Sequence, residues 1–214
     1  WSFASAATTS LGVVPMFHIT GMMYGLHAAL WLGSTVVLLP RWDRELAARL
    51  IAKYRVTLWT CIPTMVIDLL ASPNVANFDL SSLKFITGGG AAMPQAVGER
   101  LQRDFGLTFI EGYGLTETAA PSHSNPHEHP KLQCLGIPIF GVDSRVVDPE
   151  TLQEMPVGEV GEIILESRRR PRRNGLQWQS RPPHRHRQDA RLRQRPHHRR
   201  TPLRRNARPP PRRN

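Results

Sequence analysis

Short apolar segments alternate with amphipathic ones along the first half of the chain. The apolar segments are partly β-branched, which is typical of buried strands. The amphipathic segments carry apolar residues at helical spacing. Alternating strands and helices predict an α/β fold, in which helices flank a mostly parallel sheet. The predicted strands are residues 12–17, 35–39, 56–61, 83–87 and 108–111.

Three predicted helices have recognisable ends. Asp43 is placed to cap the amino end of a helix over residues 43–54. Proline occupies a plausible first helical position in the other two helices, residues 63–71 and 94–105. Gly106 follows the last of these as a C-cap.

Residues 21–40 carry no formal charge and are long enough to suggest a transmembrane helix. Gly33 and Ser34 divide this stretch into a helix-like part, 21–32, and a β-branched part, 35–39. Each part is too short to cross a bilayer, so we predict a buried helix followed by a buried strand, with no membrane span.

The pattern changes after Thr118. Residues 123–130 form a polar, proline-containing segment that predicts a loop. Residues 142–147 and 159–166 then predict two strands without an intervening helix, typical of an appended antiparallel element. The predicted domains are residues 1–134, an incomplete α/β domain, and residues 135–167, the start of a β subdomain.

Charge divides the chain near Ser167. The overall net charge is +11, but residues 1–167 hold 10 basic and 16 acidic side chains, a net of −6. Residues 168–214 hold 18 Arg and a single acid, a net of +17, and have no Lys, Val, Ile, Phe, Tyr or Met. This tail cannot bury a core and is predicted to be disordered.

Two interpretations of the tail remain open. A disordered basic arm could bind nucleic acid through its arginines. However, Arg, Pro, His and Gln share codons that begin with C, and Arg without Lys is typical of GC-rich DNA translated out of frame. We favour the frame error and expect no nucleic-acid partner unless the tail is genuine.

Candidate chemistry lies in two segments that follow predicted strands. In the first, Gly88, Gly89, Gly90 and Ala91 precede a predicted helix, a place where backbone approaches a ligand closely. Separately, in residues 111–118, an aromatic side chain could stack on a base, a hydroxyl could contact phosphate and a carboxylate could bind Mg²⁺. These three are Tyr113, Thr116 and Glu117.

Five ordered motifs carry a family resemblance over about residues 11–166. They are PMFHITG (15–21), GGGAAMP (88–94), GYGLTE (112–117), LGIP (135–138) and GEVGEI (158–163). In these the chain resembles the adenylate-forming superfamily of acyl-CoA synthetases, luciferases and peptide-synthetase adenylation domains. It is most similar to fatty-acid-type acyl-CoA ligases, which implies ATP, coenzyme A and a carboxylic acid as substrates, with Mg²⁺.

The resemblance also implies roles for individual residues. Tyr113 and the loop Gly88, Gly89, Gly90 and Ala91 would flank the adenine. Thr116 would contact the α-phosphate, and Glu117 would bind Mg²⁺. His18 would lie where the acyl pocket meets the pantetheine tunnel, and Gly112 and Gly114 would leave room for the acyl group.

Other elements of the superfamily lack a counterpart here. A Ser/Thr/Gly-rich phosphate loop is expected before residue 11, and a ribose-binding Asp and a catalytic Lys after Glu166. The chain starts at Trp1, so we expect an inactive fragment of a longer enzyme. A non-catalytic nucleotide-binding module and a basic-tail nucleic-acid binder are the alternatives.

The positions of the cysteine and histidine residues argue against a disulfide scaffold and a metal site. Cys61 and Cys134 are far apart, which argues against a disulfide scaffold and favours a cytoplasmic protein. His123, His127 and His129 suggest a metal site, but no Cys or well-spaced carboxylate completes a tetrahedral set. The sequence has no G-x-S-x-G nucleophile elbow, so a hydrolase is not indicated.

Overall fold

The computed structural model describes residues 4–167. Within this range the chain forms two compact units, residues 4–144 with 165–167 and residues 145–164. The Arg-rich segment 168–214, for which disorder is predicted above, lies outside the described residues.

A seven-stranded sheet forms most of the first unit. Its strand order is β2-β1-β3-β4-β5-β6-β7, with parallel pairing from β2 to β5 and antiparallel pairing from β5 to β7. This confirms the predicted α/β fold with a mostly parallel sheet. The strands are β1 (Thr9–Gly12), β2 (Thr35–Leu38), β3 (Leu58–Cys61), β4 (Phe85–Gly88), β5 (Phe109–Leu115), β6 (Ala120–Ser124) and β7 (Ile137–Pro138).

Four helices connect the parallel strands. Helix α1 is π-helical over Gly21–His27 and α-helical over Ala28–Leu32. The others are α2 (Arg44–Tyr54), α3 (Pro63–Leu70) and α4 (Gln95–Phe105), and α3 packs against both α2 and α4. Single 3₁₀ turns form at Val75–Asn77 and Thr116–Thr118.

The predicted helix ends are largely confirmed. The Asp43 carboxylate accepts a hydrogen bond of 2.8 Å from the Leu46 N–H, one of the amides at the start of α2 that has no helical partner. Pro63 begins α3, and Gly106 ends α4 at a φ of 67°. Pro94, by contrast, precedes the first helical residue of α4 and is its N-cap residue.

The apolar core lies where α2, α3 and α4 cover the sheet. Trp59 of β3 is fully buried, and its indole stacks on that of Trp42 with ring centres 5.6 Å apart. The Trp42 N–H donates to Asp68 at 2.8 Å, so the stacked pair is also tied to α3. Other residues at 0% exposure in this core are Ala47, Ile51, Val56, Val66, Leu69, Ile86, Met93 and Leu101.

The first predicted strand, residues 12–17, is wrong. The strand is Thr9–Gly12, and the chain turns at Pro15 into α1. Pro15 has no N–H for a sheet hydrogen bond, and Gly21 packs directly on its backbone: a Cβ at Gly21 would lie 2.1 Å from the Pro15 carbonyl oxygen. The close contact holds this segment against α1 instead of in the sheet.

The division of residues 21–40 into helix and strand is confirmed, but the predicted burial is wrong. Gly33 ends α1 with a φ of 65°, and β2 begins at Thr35. Because β2 is at the edge of the sheet, its Leu38 is 56% exposed. In α1, Trp31 is 90% exposed. Among the described residues, no helix has the length and apolar character needed to cross a bilayer.

The later strands differ from the prediction mainly at their ends. Strand β5 runs on through Leu115, and the end of β6 takes in residues 123 and 124, the first two of the predicted loop 123–130. The two predicted strands after residue 140 are present as β8 (Val142–Val147) and β9 (Glu162–Ser167), which pair in a separate two-stranded sheet.

Asp43→Ala should lower the free energy of unfolding by about 1 kcal/mol, because the Leu46 N–H loses its acceptor. Asp43→Asn keeps an acceptor oxygen and should change stability by a few tenths of that amount. Urea denaturation followed by circular dichroism measures both. Equal losses for the two variants would show that the cap does not stabilise α2.

Candidate functional site

The glycine-rich loop leaves β4 directly beside β5. Gly88 pairs with Glu111 in the parallel ladder, so Gly89 and Gly112 lie next to each other. A Cβ at Gly88 would lie 1.8 Å from the Cys61 carbonyl oxygen, and one at Gly89 would lie 2.3 Å from the Gly112 carbonyl oxygen. Only glycine fits at both positions, since any side chain would overlap neighbouring backbone. Packing of backbone on backbone therefore requires glycine at these positions.

The exposed part of the loop follows these two glycines. Gly90 has a φ of +84°, a conformation that side-chain-bearing residues rarely adopt. Gly90 and Ala91 are exposed, and Met93 is fully buried. The loop thus presents free backbone at its tip while Met93 anchors its far end in the core.

Tyr113 lies in the middle of β5 and directly follows Gly112, the residue on which Gly89 packs. The tyrosine is half-buried, and burial raises the pKa of its phenol. Its ring centre is 5.9 Å from that of His123 on β6, at an interplanar angle of 56°. The predicted glycine loop and Tyr113 are therefore brought together at the carboxyl end of β4.

A β-bulge in β6 shapes the strand opposite Tyr113. Tyr113 pairs with His123 and Gly114 with Pro121, which leaves Ser122 as an extra residue in β6. The bulge interrupts the alternation of side chains, and the adjacent Ser122 and His123 are both buried. The Ser122 hydroxyl donates to the Tyr113 carbonyl oxygen at 3.3 Å.

His123 lies between two hydroxyl groups. Its Nδ1 is 3.0 Å from Ser122 Oγ, and its Nε2 is 2.9 Å from Ser144 Oγ. Because the Ser122 hydroxyl donates to Tyr113, a neutral ring protonated on Nδ1 would satisfy every partner: Nδ1–H donates to Ser122, and Ser144 donates to Nε2. Burial lowers the pKa of His123, which favours this neutral form.

In the structure the predicted loop at residues 123–130 begins only after Ser124, where β6 ends. His123 therefore belongs to β6 and lies between the Ser122 and Ser144 hydroxyls, whereas His127 and His129 are exposed. In the described part of the chain, no three His, Cys, Asp or Glu side chains are grouped as metal ligands.

Thr116 and Glu117 lie at the tip of the β5–β6 hairpin. The sequence places this motif just beyond a strand, but in the structure residues 112–115 belong to β5. Thr118 holds the tip in a 3₁₀ turn: its hydroxyl accepts from Leu115 N–H at 3.1 Å and donates to Leu115 C=O at 2.8 Å. Both Thr116 and Glu117 are exposed.

His18 lies at a different strand end. It is exposed at the turn between β1 and α1, and its Nδ1 accepts from Thr20 N–H at 3.2 Å. In the sheet, β3 separates β1 from β4, so His18 shares the carboxyl edge with Gly88 and Tyr113 but not their strands. A small cleft lies where the strand order reverses, between β1 and β3, and is lined by residues before and after the His18 turn, including Gly12, Gly21, Tyr24 and Thr60.

The sequence interpretation misses Glu111, a buried carboxylate at the centre of the site. Glu111 is 3% exposed, and its Oε1 accepts from Met93 N–H at 3.1 Å and from Gln133 N–H at 2.9 Å. Burial raises the pKa of this carboxyl group, and the two N–H groups oppose that rise in part. A charged residue inside an apolar strand is the sequence signal that identifies such a group.

Asn125 extends the contacts of Glu111 into the following loop. It is 2% exposed, and both its backbone N–H and its side-chain amide donate to the Glu111 carbonyl oxygen, at 3.0 and 3.2 Å. Its amide also donates to Cys134 C=O at 2.6 Å, and its Oδ1 accepts from Lys131 N–H at 3.0 Å. Nothing in the local sequence pattern distinguishes this Asn from an ordinary loop residue.

The family model described as AMP-binding enzyme matches residues 1–169. The chain therefore belongs to the AMP-binding enzyme family, which confirms the resemblance to adenylate-forming enzymes.

Curated relatives agree with this assignment. The chain is 34% identical over 155 residues to 4-coumarate–CoA ligase-like 9 of Arabidopsis thaliana, which covers 71% of this chain and 27% of the relative. It is also 34% identical over 156 residues to a long-chain-fatty-acid–CoA ligase of Bacillus subtilis, covering 72% of this chain and 28% of the relative. The chain thus spans less than a third of the length of either relative.

Solved structures share the fold. The anthranilate CoA ligase AuaEII in complex with anthranoyl-AMP superposes with a TM-score of 0.72 at 25% identity. The superposition covers 77% of this chain and 32% of the AuaEII chain. ATP-bound MatB from Rhodopseudomonas palustris superposes with a TM-score of 0.71 at 26% identity, over 76% of this chain and 32% of its own.

His123→Gln should change how stability depends on pH. Because the folded pKa of His123 is depressed, the unfolded chain takes up a proton first as pH falls below about 6.5, and the parent chain loses stability there. The loss reaches at most about 1.4 kcal/mol per pH unit, and the Gln variant should lack it. Urea denaturation between pH 7.5 and 5 measures the difference.

His129→Gln is the matched control, since it removes an exposed imidazole away from the Ser122 and Ser144 hydroxyls. Parallel pH profiles for the parent chain and His123→Gln would contradict a buried neutral His123.

Proposed function

We propose that this chain is the nucleotide-binding part of an AMP-forming acyl-CoA ligase. The observation that supports this most directly is the contact between the glycine-rich loop and β5. That contact sets free loop backbone next to the half-buried Tyr113 at the carboxyl edge of a parallel sheet, where open α/β sheets bind ligands. In the proposal, the Gly88–Ala91 backbone and the Tyr113 ring lie on either side of the adenine.

The proposed reaction has two steps. A carboxylate oxygen of the substrate attacks the α-phosphorus of ATP, forming an acyl-adenylate and releasing pyrophosphate. The coenzyme A thiol, having lost its proton, then attacks the acyl carbon, forming the thioester and releasing AMP. Both steps depend on positioning and on neutralising phosphate charge.

The exposed hairpin tip is suited to the phosphate contacts. Thr116 is proposed to donate its hydroxyl to an α-phosphate oxygen, and the 3₁₀ turn held by Thr118 fixes the backbone that carries it. Because the tip is exposed, Thr116 and the adjacent Glu117 are accessible to a bound nucleotide.

Mg²⁺ fits this donor set. A protein usually holds Mg²⁺ through one or two carboxylates, with water and substrate phosphates as the remaining ligands. Glu117 supplies one exposed carboxylate beside the proposed phosphate position. Bound there, the ion would neutralise phosphate charge during the first step.

The acyl side of the site is proposed to lie between β1 and β5. His18 is assigned to the junction of the acyl pocket and the pantetheine tunnel, next to the cleft at the end of β1. Gly112 and Gly114 of β5 are assigned to the acyl pocket because glycines leave room beside the strand.

A fatty acid is the proposed carboxylic acid substrate, on the resemblance of the segments around His18 and residues 115–130 to fatty-acid-type ligases. The two curated relatives described above are named for different acids, one as a 4-coumarate–CoA ligase-like protein and one as a long-chain-fatty-acid–CoA ligase. A panel of aryl and fatty acyl ligands separates these two classes.

Tyr113→Ala should weaken binding of a non-hydrolysable fatty acyl sulfamoyl-adenosine by about tenfold or more, because stacking on a base is worth roughly 1–3 kcal/mol. Tyr113→Phe keeps the aromatic ring and should bind within about threefold of the parent chain. Isothermal titration calorimetry on the 214-residue chain measures all three dissociation constants.

Tyr54→Ala on α2 is the matched control, since this tyrosine is also partly exposed but is remote in sequence from both glycine segments. Binding by Tyr113→Ala at the affinity of the parent chain would remove the adenine-stacking role. Absence of binding by the parent chain would contradict the proposal itself.

We further propose that residues 168–214 are translated from the wrong reading frame. The family match ends at residue 169, close to the position where the composition changes to 18 Arg without Lys. A basic nucleic-acid-binding arm is the alternative function that the same composition favours.

Resequencing the DNA that encodes residues 160–175 tests this second proposal. We expect another frame to restore a family-like continuation with a T-G-D motif after Glu166. If the frame stands and no alternative frame reads through, the arm is genuine. Salt-dependent binding of nucleic acid that is lost on deleting residues 168–214 would then support the alternative.

A further inference from the structure

Two buried side chains hold the loops around the candidate site. The Glu111 carboxylate binds the far end of the glycine-rich loop through Met93 N–H and the segment after β6 through Gln133 N–H. Asn125 joins the backbone of Glu111 to the same segment through Lys131 and Cys134. Three stretches that are distant in sequence therefore meet at one buried polar cluster, which we call the Glu111 clamp.

We propose that Glu111 is a positioning residue for nucleotide binding: it fixes the glycine-rich loop at the distance from Tyr113 that an adenine ring requires. This inference rests on the proposed nucleotide-binding function. It assigns a role to a side chain that does not itself contact the nucleotide.

The geometry supports positioning over a general structural role. The glycine-rich loop is held at two points, by the Gly88 and Gly89 backbone contacts at its start and by Met93 at its end. The exposed tip, Gly90 and Ala91, lies between these points. Without the Met93 hydrogen bond, the start of the loop stays packed on β5 and the Met93 side chain stays in the core, but the backbone at the end of the loop loses the acceptor that fixes its position.

The same oxygen accepts both backbone N–H groups. Met93 N–H and Gln133 N–H converge on Glu111 Oε1, so the clamp needs one acceptor at one position. A glutamine carbonyl oxygen can take that position without the charge. A leucine has no acceptor and takes away the partner of both the buried Met93 N–H and the Gln133 N–H, and an aspartate carries the oxygen about 1.5 Å short of them.

Three variants of Glu111 therefore test three properties separately. Glu111→Leu removes the acceptor, Glu111→Asp shortens its reach, and Glu111→Gln removes the charge. The exchange of the Met93 and Gln133 amide hydrogens, followed by NMR on the 214-residue chain, reports the clamp. Titration with the fatty acyl sulfamoyl-adenosine reports the site. We expect Glu111→Gln to keep slow exchange and to bind within about twofold of the parent chain.

We expect Glu111→Leu and Glu111→Asp to exchange faster at both amides and to bind at least about tenfold more weakly. Glu99→Leu is the matched control, since this exposed Glu on α4 pairs only with Gln95 and should leave both measurements unchanged. If Glu111→Leu fails to fold, Glu111→Asp carries the comparison.

The two measurements distinguish the possible failures. Faster exchange with unchanged affinity would overturn the positioning role, and so would weak binding by Glu111→Gln with slow exchange. If the parent chain does not bind the analogue, the proposed function fails. Amide exchange alone then tests whether Glu111 holds the loop. Slow exchange of the Met93 amide in Glu111→Leu would show that it does not, and fast exchange would support the clamp.

Discussion

The candidate site depends on the close approach of three backbones, at the carboxyl ends of β3 and β4 and in the middle of β5. Gly88 and Gly89 lie so near the carbonyl groups of Cys61 and Gly112 that a single methyl group would overlap them. Neighbouring strands of a sheet lie about 4.8 Å apart, and their side chains point to its two faces. Here the chain that leaves β4 packs its backbone directly on the backbone of β5, at the residue before Tyr113.

Three polar side chains buried around this contact are paired in the way that low exposure demands. Glu111, Asn125 and His123 are each 6% exposed or less, and each has two or more hydrogen-bond partners. An unpaired buried group costs more free energy than a typical hydrogen bond returns, so such clusters tolerate few arrangements. The apolar core under α2 to α4 supplies stability, whereas this polar cluster fixes which loops meet.

Much of the fold follows from the sequence because its signals are local. Asp43 and Gly106 lie at helix ends, where capping and a positive φ favour particular residue types. The prediction misplaces strand β1 because the apolar run continues past Gly12, although Pro15 lacks the N–H that a strand within a sheet needs. The contact of Gly21 with the Pro15 backbone depends on how the chain turns between them, and no pattern in the sequence marks it.

The residues of the candidate site divide in the same way, into those that sequence motifs locate and those that they do not. The sequence motifs locate the glycine-rich loop and Tyr113, which the structure brings together. They do not locate Glu111 or Asn125, whose partners lie between 6 and 22 positions away in the chain. The predicted strand also ends four residues early, at Glu111, because a strand that continues through Gly112 and Gly114 goes against the usual avoidance of glycine in strands.

The extra residue in β6 has a consequence for how this segment can vary in length. Ser122 is the unpaired residue of the bulge, and its two neighbours in the chain pair with consecutive residues of β5. A chain without Ser122 could therefore keep Pro121 opposite Gly114 and His123 opposite Tyr113 in a regular ladder. It would lose the hydroxyl that contacts the Tyr113 carbonyl oxygen and His123 Nδ1. The bulge is thus a position at which β6 can lose a residue without losing its register with β5.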